Sequence, residues 1–428
     1  MAILPKRSGQ KDVEPAILNS ETHDNIPYMP SSWLSSAVRP AQAPRLPLLS
    51  LLMRLPAWLC FLGLWLMVLP AQAALTLRVA VEEGTSQIQV GTSTAAVVKD
   101  SSGQPIAQLG AMQGARAVSG GNTITLGRKT GSQFWIEPSS DGLVWINDAW
   151  YRGDVLLVST AQGILAVNYV DLDEYLYSVV GSEMPTSWPL EALKAQAVAA
   201  RSYALYKRNR LANAVYDIGN TTTWQVYKGV SAETTSTQMA VQQTADQVLT
   251  YQGNIIEAVF HSSSGGHTEN VEDVWVQALP YLRGVTDYDQ QAPVFSWSET
   301  VSANALRSAV PGVGNIISMV PVATTPNGRV RQLKITGDAG QTTLTGEQFR
   351  QALDLRSSLF VINPQGGQSL GGKSNAPQAF LIQGRGFGHG LGLSQWGAYS
   401  LANQGYNYQQ ILGHYYRNVS LAKVKVGQ

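Results

Sequence analysis

Residues 178–208, SVVGSEMPTSWPLEALKAQAVAARSYALYKR, constrain the fold of this chain more than any other stretch. Pro185 and Pro189 keep a helix from forming before Trp188 and preset φ for a first helical turn. From Pro189 onward the chain is dominated by Ala, Leu, Lys, Gln and Arg, all strong helix formers, so a long helix is expected. Lys194, Arg201 and Arg208 recur every seven residues and fall close to one line along it. Residues 164–170, ILAVNYV, are rich in β-branched and aromatic side chains and read as a strand. Between strand and helix lies a loop bounded by Gly, Ser and Pro that carries one acid, Glu183. A carboxyl fixed in a turn at a helix entrance suits a general acid. The plainer alternative is a carboxylate that only favours the positive end of the helix dipole.

With 428 residues the chain is long enough for about two or three domains and a sizeable core. A net charge of +1 with 14% charged residues excludes nucleic-acid binding that rests on a basic field. Eleven Trp and seventeen Tyr beside so few charges suit stacking against neutral polymers such as glycans, and they equally fill ordinary cores. Residues 1–52, rich in Pro and Ser, read as a disordered extension or the product of an upstream start codon. Met53-Arg54, the uncharged run 55–69 and Ala71-Gln72-Ala73 form the n-region, h-region and cleavage site of a signal peptide over 53–73. An uncleaved anchor is the alternative, although the apolar run is short for a span. The single cysteine, Cys60, lies inside that run, so the mature chain has no thiol, disulfide or cysteine-based metal site. The expected location is outside the membrane, in the periplasm or cell wall, with membrane contact only through the signal segment.

Residues 74–150 alternate in short strand-like runs and read as a small all-β accessory region, structural or wall-binding. The motifs lie in a second region, 151–423. A polar, exposed helix is expected over 232–245, and a hairpin turning at Gln252-Gly253-Asn254 follows it. The hairpin leads into HSSSGGHTEN, 261–270, where Ser262, Ser263 and Ser264 precede two glycines that permit positive φ. Such a loop could bind sugar hydroxyls or cradle an anion. Zinc held by His261, His267 and Glu269 is the alternative; the histidine spacing matches no common motif, and no third nitrogen or sulfur ligand is local. A nucleophilic serine is disfavoured, because no G-x-S-x-G elbow is present. Further on, residues 316–320 and 330–335 read as strands around Asn327-Gly328, Thr345 as a helix cap, and 364–377 as a flexible linker.

GRGFGHGLGLSQWGA, 384–398, places glycine at every second position from Gly384 to Gly392 and does not fit a dinucleotide fingerprint. Read as an extended strand, it puts five glycines on one face and Arg385, Phe387, His389 and Leu391 on the other. A face that bare admits another backbone or a flat polymer. His389 then either projects toward that ligand or is a hydrogen-bonded core residue. Asn407 to Gln410 opens a last helix with capping-box spacing, which carries His414, Tyr415 and Tyr416.

Taken together, Glu183-Met184-Pro185, the run from Trp188 to Tyr203, Gln225-Val226-Tyr227, Ser262 to Gly266, Gly388 to Ala398 and Ile411 to Tyr416 resemble the SpoIID/LytB family. That family takes in stage II sporulation protein D and the amidase enhancer LytB, and the resemblance covers roughly residues 150–420. It implies an α+β fold in which a small N-terminal all-β region precedes a mixed domain, with long helices around an active-site cleft. It also implies a lytic transglycosylase that cleaves the glycan strands of peptidoglycan and leaves a 1,6-anhydro-N-acetylmuramic acid end. Glu183 maps onto the family's catalytic acid. Arg201 would then meet the N-acetyl or lactyl groups of the substrate. Tyr203, Gln196, Gln225 and the Ser262, Ser263, Ser264 loop would contact sugars, and His389 and Gln395 would line the floor. One carboxyl suffices for such chemistry, where most glycosidases need two, because the sugar's own 6-hydroxyl attacks. Its pKa must be raised by burial or a negative neighbour. No cofactor is expected, since the zinc set of some relatives includes cysteine and the mature chain has none. LytB-type members enhance an N-acetylmuramoyl-L-alanine amidase, so a non-catalytic glycan binder with an amidase partner is the competing class.

Overall fold

The computed structural model describes residues 75–366 and 376–424. The readings at 1–52 and 53–73, and the middle of the 364–377 linker, lie outside the described residues. Among those described, no helix is long and apolar enough to cross a membrane.

The strand Thr76–Thr85 pairs antiparallel with Gly163–Asp171, Thr76 opposite Asp171 and Thr85 opposite Ile164, with bulges between. Alternation sends Leu77, Val79, Ile164 and Ala166 into the main core. Leu156, Leu165 and Val167 fill a smaller cluster elsewhere. This pair lies within a seven-stranded sheet that also takes in Gln133–Pro138, Ala96–Lys99 and Pro105–Leu109. The boundary expected at residue 150 therefore falls inside one sheet and one core, and 74–150 is no separate accessory region. Short alternating strands cannot announce from sequence which distant strand they pair with.

Gly163–Asp171 runs directly into helix α1, Leu172–Glu183, capped by Asp171, whose side chain accepts from the N–H groups of Asp173 and Glu174. Leu172, Tyr175, Leu176, Val179 and Val180 recur at helical spacing and turn one face into the core. Glu183 is thus the last residue of a helix and not part of a loop. Gly181, a loop marker in sequence, is needed inside the helix because a Cβ there would sit 2.0 Å from the carbonyl oxygen of Ala232.

Helix α2, Leu190–Leu211, is the long helix expected. Ala192, Leu193, Ala195, Ala197 to Ala200, Ala204 and Leu205 are all buried, so apolar side chains surround much of its length. Small alanines let α1, α3 (Thr235–Gln242), the strand Gln247–Tyr251 and the helices Gln395–Asn403 and Tyr408–Tyr415 pack around it. Truncating Leu193 to Ala would cost about 2–5 kcal/mol. Helix α3 is shorter than the expected 232–245 and buries Thr237, Ala240 and Val241, so it is not an exposed helix.

A second core, including Leu306, Leu333, Ile335, Phe349, Phe380 and Ile382, lies between two three-stranded sheets built from residues 296–385. Ile316–Thr324 and Val330–Gly337 form its expected antiparallel pair, and Thr345 caps Gly346–Ala352 in a capping box with Gln348. The architecture is α+β.

Residues 386–392 do not form the extended strand that glycine alternation suggested. The continuous strand ends at Arg385, Phe387 and Gly388 keep only isolated bridges to Ser263 and Ser357, and Gly386, Gly388, Gly390 and Gly392 have φ of +76°, +113°, +77° and +65°. The alternation marks left-handed backbone positions. The space beside the glycines holds the protein itself: a Cβ on Gly388 would meet His261 at 2.7 Å, and one on Gly390 would meet the Arg329 guanidinium at 2.3 Å.

Candidate active site

At the end of α1 the Glu183 carboxyl turns toward residues 224–227. Gln225 is fully buried; its Oε1 accepts from the Tyr175 hydroxyl (3.1 Å) and its Nε2 donates to the Ala200 carbonyl (3.2 Å). The Tyr227 hydroxyl donates to Asn168 Oδ1 (2.8 Å). These alternate residues pin the segment to α2 and the sheet, leaving Trp224 and Val226 to face a cavity. The Val226 N–H donates to Glu183 Oε1 at 2.9 Å. Gln395, first in the helix Gln395–Asn403, brings its Nε2 to 3.5 Å from Oε2, the limit of a hydrogen bond.

Burial pushes the Glu183 carboxyl above the usual range, against the Val226 N–H, the Gln395 amide and distant Lys228, which favour the charged form. Its place at a helix C-terminus, the negative end of the dipole, also disfavours a carboxylate. That position removes the reading of Glu183 as a stabiliser of a helix entrance. Among the described residues, no Lys, Arg or His makes an ion pair with it.

The cavity measures about 290 Å³ and is walled by Tyr203, Lys207, Trp224, Glu257, Trp275 and His389 as well as Glu183. Tyr203 and Lys207, four residues apart, share one face of α2. Lys207 Nζ pairs with Glu257 and lies 5.1 Å from the Tyr203 ring centre. The second carboxylate of the cavity is thus already matched by a cation, while Glu183 is not. Above Gln395, Trp188, Trp396 and Tyr399 form a half-buried aromatic cluster with ring centres 4.7–5.4 Å apart.

His389 belongs to the wall as a neutral ring. Its Nδ1 accepts from the Leu391 N–H (3.0 Å), so the proton sits on Nε2, which donates to the Phe260 carbonyl (3.1 Å). Burial, with the nearby Arg329 charge, brings its pKa down to about 3. Both ring nitrogens are thus engaged within the protein, and the neutral ring is favoured.

The structure therefore brings Glu183, Tyr203, His389 and Gln395 together and places the other expected contacts elsewhere. Arg201 is 1% exposed; it pairs with Asp173 (2.9 Å) and donates to the carbonyls of Val241, Thr244 and Gln247, locking α2 to α1 and α3. Lys194 turns to Glu191 and the Tyr408 ring, and Arg208 toward Asp217. Gln196 is buried inside α2, and neither amide atom has a partner. Ser263 and Ser264 are fully buried and donate to Asp289 (2.5 Å) and Asp287 (2.6 Å), so they fasten a loop and do not face a sugar. Ser262 is half-buried, and its carbonyl accepts from the Trp396 N–H.

The three residues of the zinc alternative each have hydrogen-bond partners within the protein. His261 Nδ1 is bonded to the Leu391 carbonyl, and His267 Nδ1 to that of Thr268. Glu269 accepts from Thr325 and Asn327. No group of three possible ligands converges among the described residues. Lys207, Trp224, Glu257 and Trp275 were not singled out in the sequence. The Tyr203/Lys207 spacing and the alternation through 224–227 were the available signals for two of them.

Residues 160–251 match the family model described as Stage II sporulation protein, and 278–392 match a domain of unknown function. The first match spans α1, α2 and the Val226 segment; the second spans the second core and most of the glycine loop. An uncharacterized protein of Brachyspira hyodysenteriae is 33% identical over 291 residues, 66% of this chain and 75% of that protein. Stage II sporulation protein D of Bacillus amyloliquefaciens is 34% identical over 278 residues, 60% of this chain and 76% of that protein. An amidase enhancer of Bacillus subtilis is 30% identical over 293 residues, 58% of this chain and 40% of that protein. With relatives of at least 30% identity, one of them a stage II sporulation protein D covered over 76% of its length, the chain belongs to the SpoIID/LytB family.

Proposed function

We propose that this chain remodels the bacterial cell wall from outside the membrane, as a lytic transglycosylase acting on peptidoglycan glycan strands. The observation that carries the reading is the Glu183 carboxyl: raised in pKa by burial, free of any cation pair among the described residues, and facing a cavity of about 290 Å³. A carboxyl whose neutral form is favoured by burial can give its proton to the glycosidic oxygen as the bond to the anomeric carbon breaks. The 6-hydroxyl oxygen of the same sugar then attacks that carbon, and its proton passes to the Glu183 carboxylate. The acid is restored, and the product is a 1,6-anhydro sugar. The Val226 N–H fixes one carboxyl oxygen and supports the transient anion. Tyr203 and the Lys207–Glu257 pair would meet hydroxyl and acetamido groups from the facing wall. No nucleophilic second carboxylate is required, which agrees with Glu257 being held by Lys207.

The test is to incubate the purified chain with glycan strands and examine the new ends by mass spectrometry. Anhydro ends are expected, and ordinary reducing ends would refute the mechanism. Similarity to a protein named an amidase enhancer supports a second reading, in which the cleft binds glycan and a partner amidase does the cutting. Stimulation of an amidase without any anhydro product would favour that reading.

A further inference from the structure

A second, larger cavity of about 570 Å³ adjoins the Glu183 cavity, and Trp275 lines both. Its walls are residues 272–276 on one side, and on the other Ala323, Arg331 and Gln332 of a second-core sheet with Glu347 of the helix Gly346–Ala352. Trp275 closes the single turn Val271–Val274, which is anchored by the Val271 N–H on the Leu282 carbonyl and by Glu272 on Arg283 (2.7 Å). The indole is 38% exposed, is backed by His389 at 5.5 Å, and stands beside fully exposed Val276.

We infer that this cavity is a second subsite for the same glycan strand, holding sugar residues beyond the one that meets Glu183. The inference rests on the glycan reading above. A cavity of about 290 Å³ lies at the lower edge of the ~300–1,000 Å³ usual for small-molecule sites, so a polymer must continue past it. The partly exposed indole at the junction offers a flat apolar face to a sugar ring. The lining chemistry favours a hydroxyl- and acetamide-bearing ligand. Glu272 is paired with Arg283, Glu347 with Arg350 (2.8 Å), and Asp273 accepts from Asn270 (3.1 Å). The side chains of Arg331 and Gln332 are exposed and make no hydrogen bond or ion pair among the described residues, so they remain to donate to a ligand.

The test measures binding to Glu183→Gln protein, which removes turnover, using the disaccharide and the hexasaccharide of N-acetylglucosamine in calorimetry. The hexasaccharide is expected to bind at least about tenfold more tightly, a difference of about 1.4 kcal/mol. Ala323→Trp, which fills the cavity from a half-buried small residue, should abolish that gain. If Ala323→Trp does not fold, the double variant Arg331→Ala/Gln332→Ala should reduce it several-fold with an unchanged melting temperature. Equal affinities for the two lengths, with cleavage by wild type intact, would overturn the subsite and leave the proposed function standing. A gain seen only with peptide-bearing strands would also overturn it. Failure of wild type to bind or cleave any glycan would remove both.

Discussion

Two regions of this molecule each hold buried carboxyl groups, and they behave in opposite ways. Asp287 accepts from Ser264 (2.6 Å), the Tyr415 hydroxyl (2.6 Å) and the Tyr288 N–H (2.8 Å). Its neighbour Asp289 accepts from Ser263 and from the Gly265 N–H. Glu183 has one short hydrogen bond, one long one and an open cavity in front of it. Burial pushes Asp287 and Glu183 up alike, the former with help from Asp289. A raised pKa therefore does not mark a reacting group by itself. What separates the two is access: the Asp287/Asp289 knot is buried and ties a loop down, and Glu183 faces a cavity and is left to act.

The largest effect that would sharpen this contrast is on turnover. Glu183→Gln keeps the size and a hydrogen-bonding group but cannot release a proton, so glycan cleavage should fall at or beyond the ~10²–10⁴ of a general acid. Its melting temperature should barely change, and substantial residual cleavage would break the contrast. Next comes Arg201→Ala, which strands Asp173 and three carbonyls. Chemical denaturation should show a loss within the ~3–5 kcal/mol of a broken buried charge pair, nearer the lower figure because Asp173 is a third exposed. Activity per folded molecule should persist, and its collapse would return Arg201 to the substrate. Ser264→Ala should lower stability by about 1–3 kcal/mol, as for an unsatisfied buried acceptor, with normal glycan binding.

The smallest effects lie in pH dependence. His261 and His389 are both depressed in the folded state, chiefly by burial. Stability from keeping them neutral is complete above the ordinary 6.5 and is lost as pH falls from there, for His389 toward about 3. Glu183 has the opposite sign: its contribution is complete below the ordinary carboxyl range and is lost as pH rises through its raised pKa. Stability curves of Glu183→Gln should lack that second slope alone.

Much of this was legible in the sequence, for local reasons. Helix propensity and the two prolines placed α2, and the β-branched and aromatic run at 164–170 placed the strand that delivers α1. Glu183 itself stood out by its setting. The buried pairing of Arg201 with Asp173 was not legible, because spacing gives a line along a helix but not what lies across from it. Ser263 and Ser264 were misassigned because their partners, Asp289 and Asp287, are more than twenty residues away. Glycine alternation at 384–392 was compatible with period-two extension or with repeated positive φ, and only Arg329, arriving from the second core, decides between them. Lys207, Glu257 and Trp275 meet by tertiary folding alone.

The central claim is that the Glu183 proton, held by burial, drives the reaction, and following the side-chain carboxyl carbon of Glu183 by NMR alongside the pH–rate profile tests it most directly. The account expects this carbon to titrate above the usual carboxyl range and cleavage to fall with rising pH through the same midpoint. An ordinary carboxyl titration, or an alkaline limb that persists unchanged in Glu183→Gln, would contradict it.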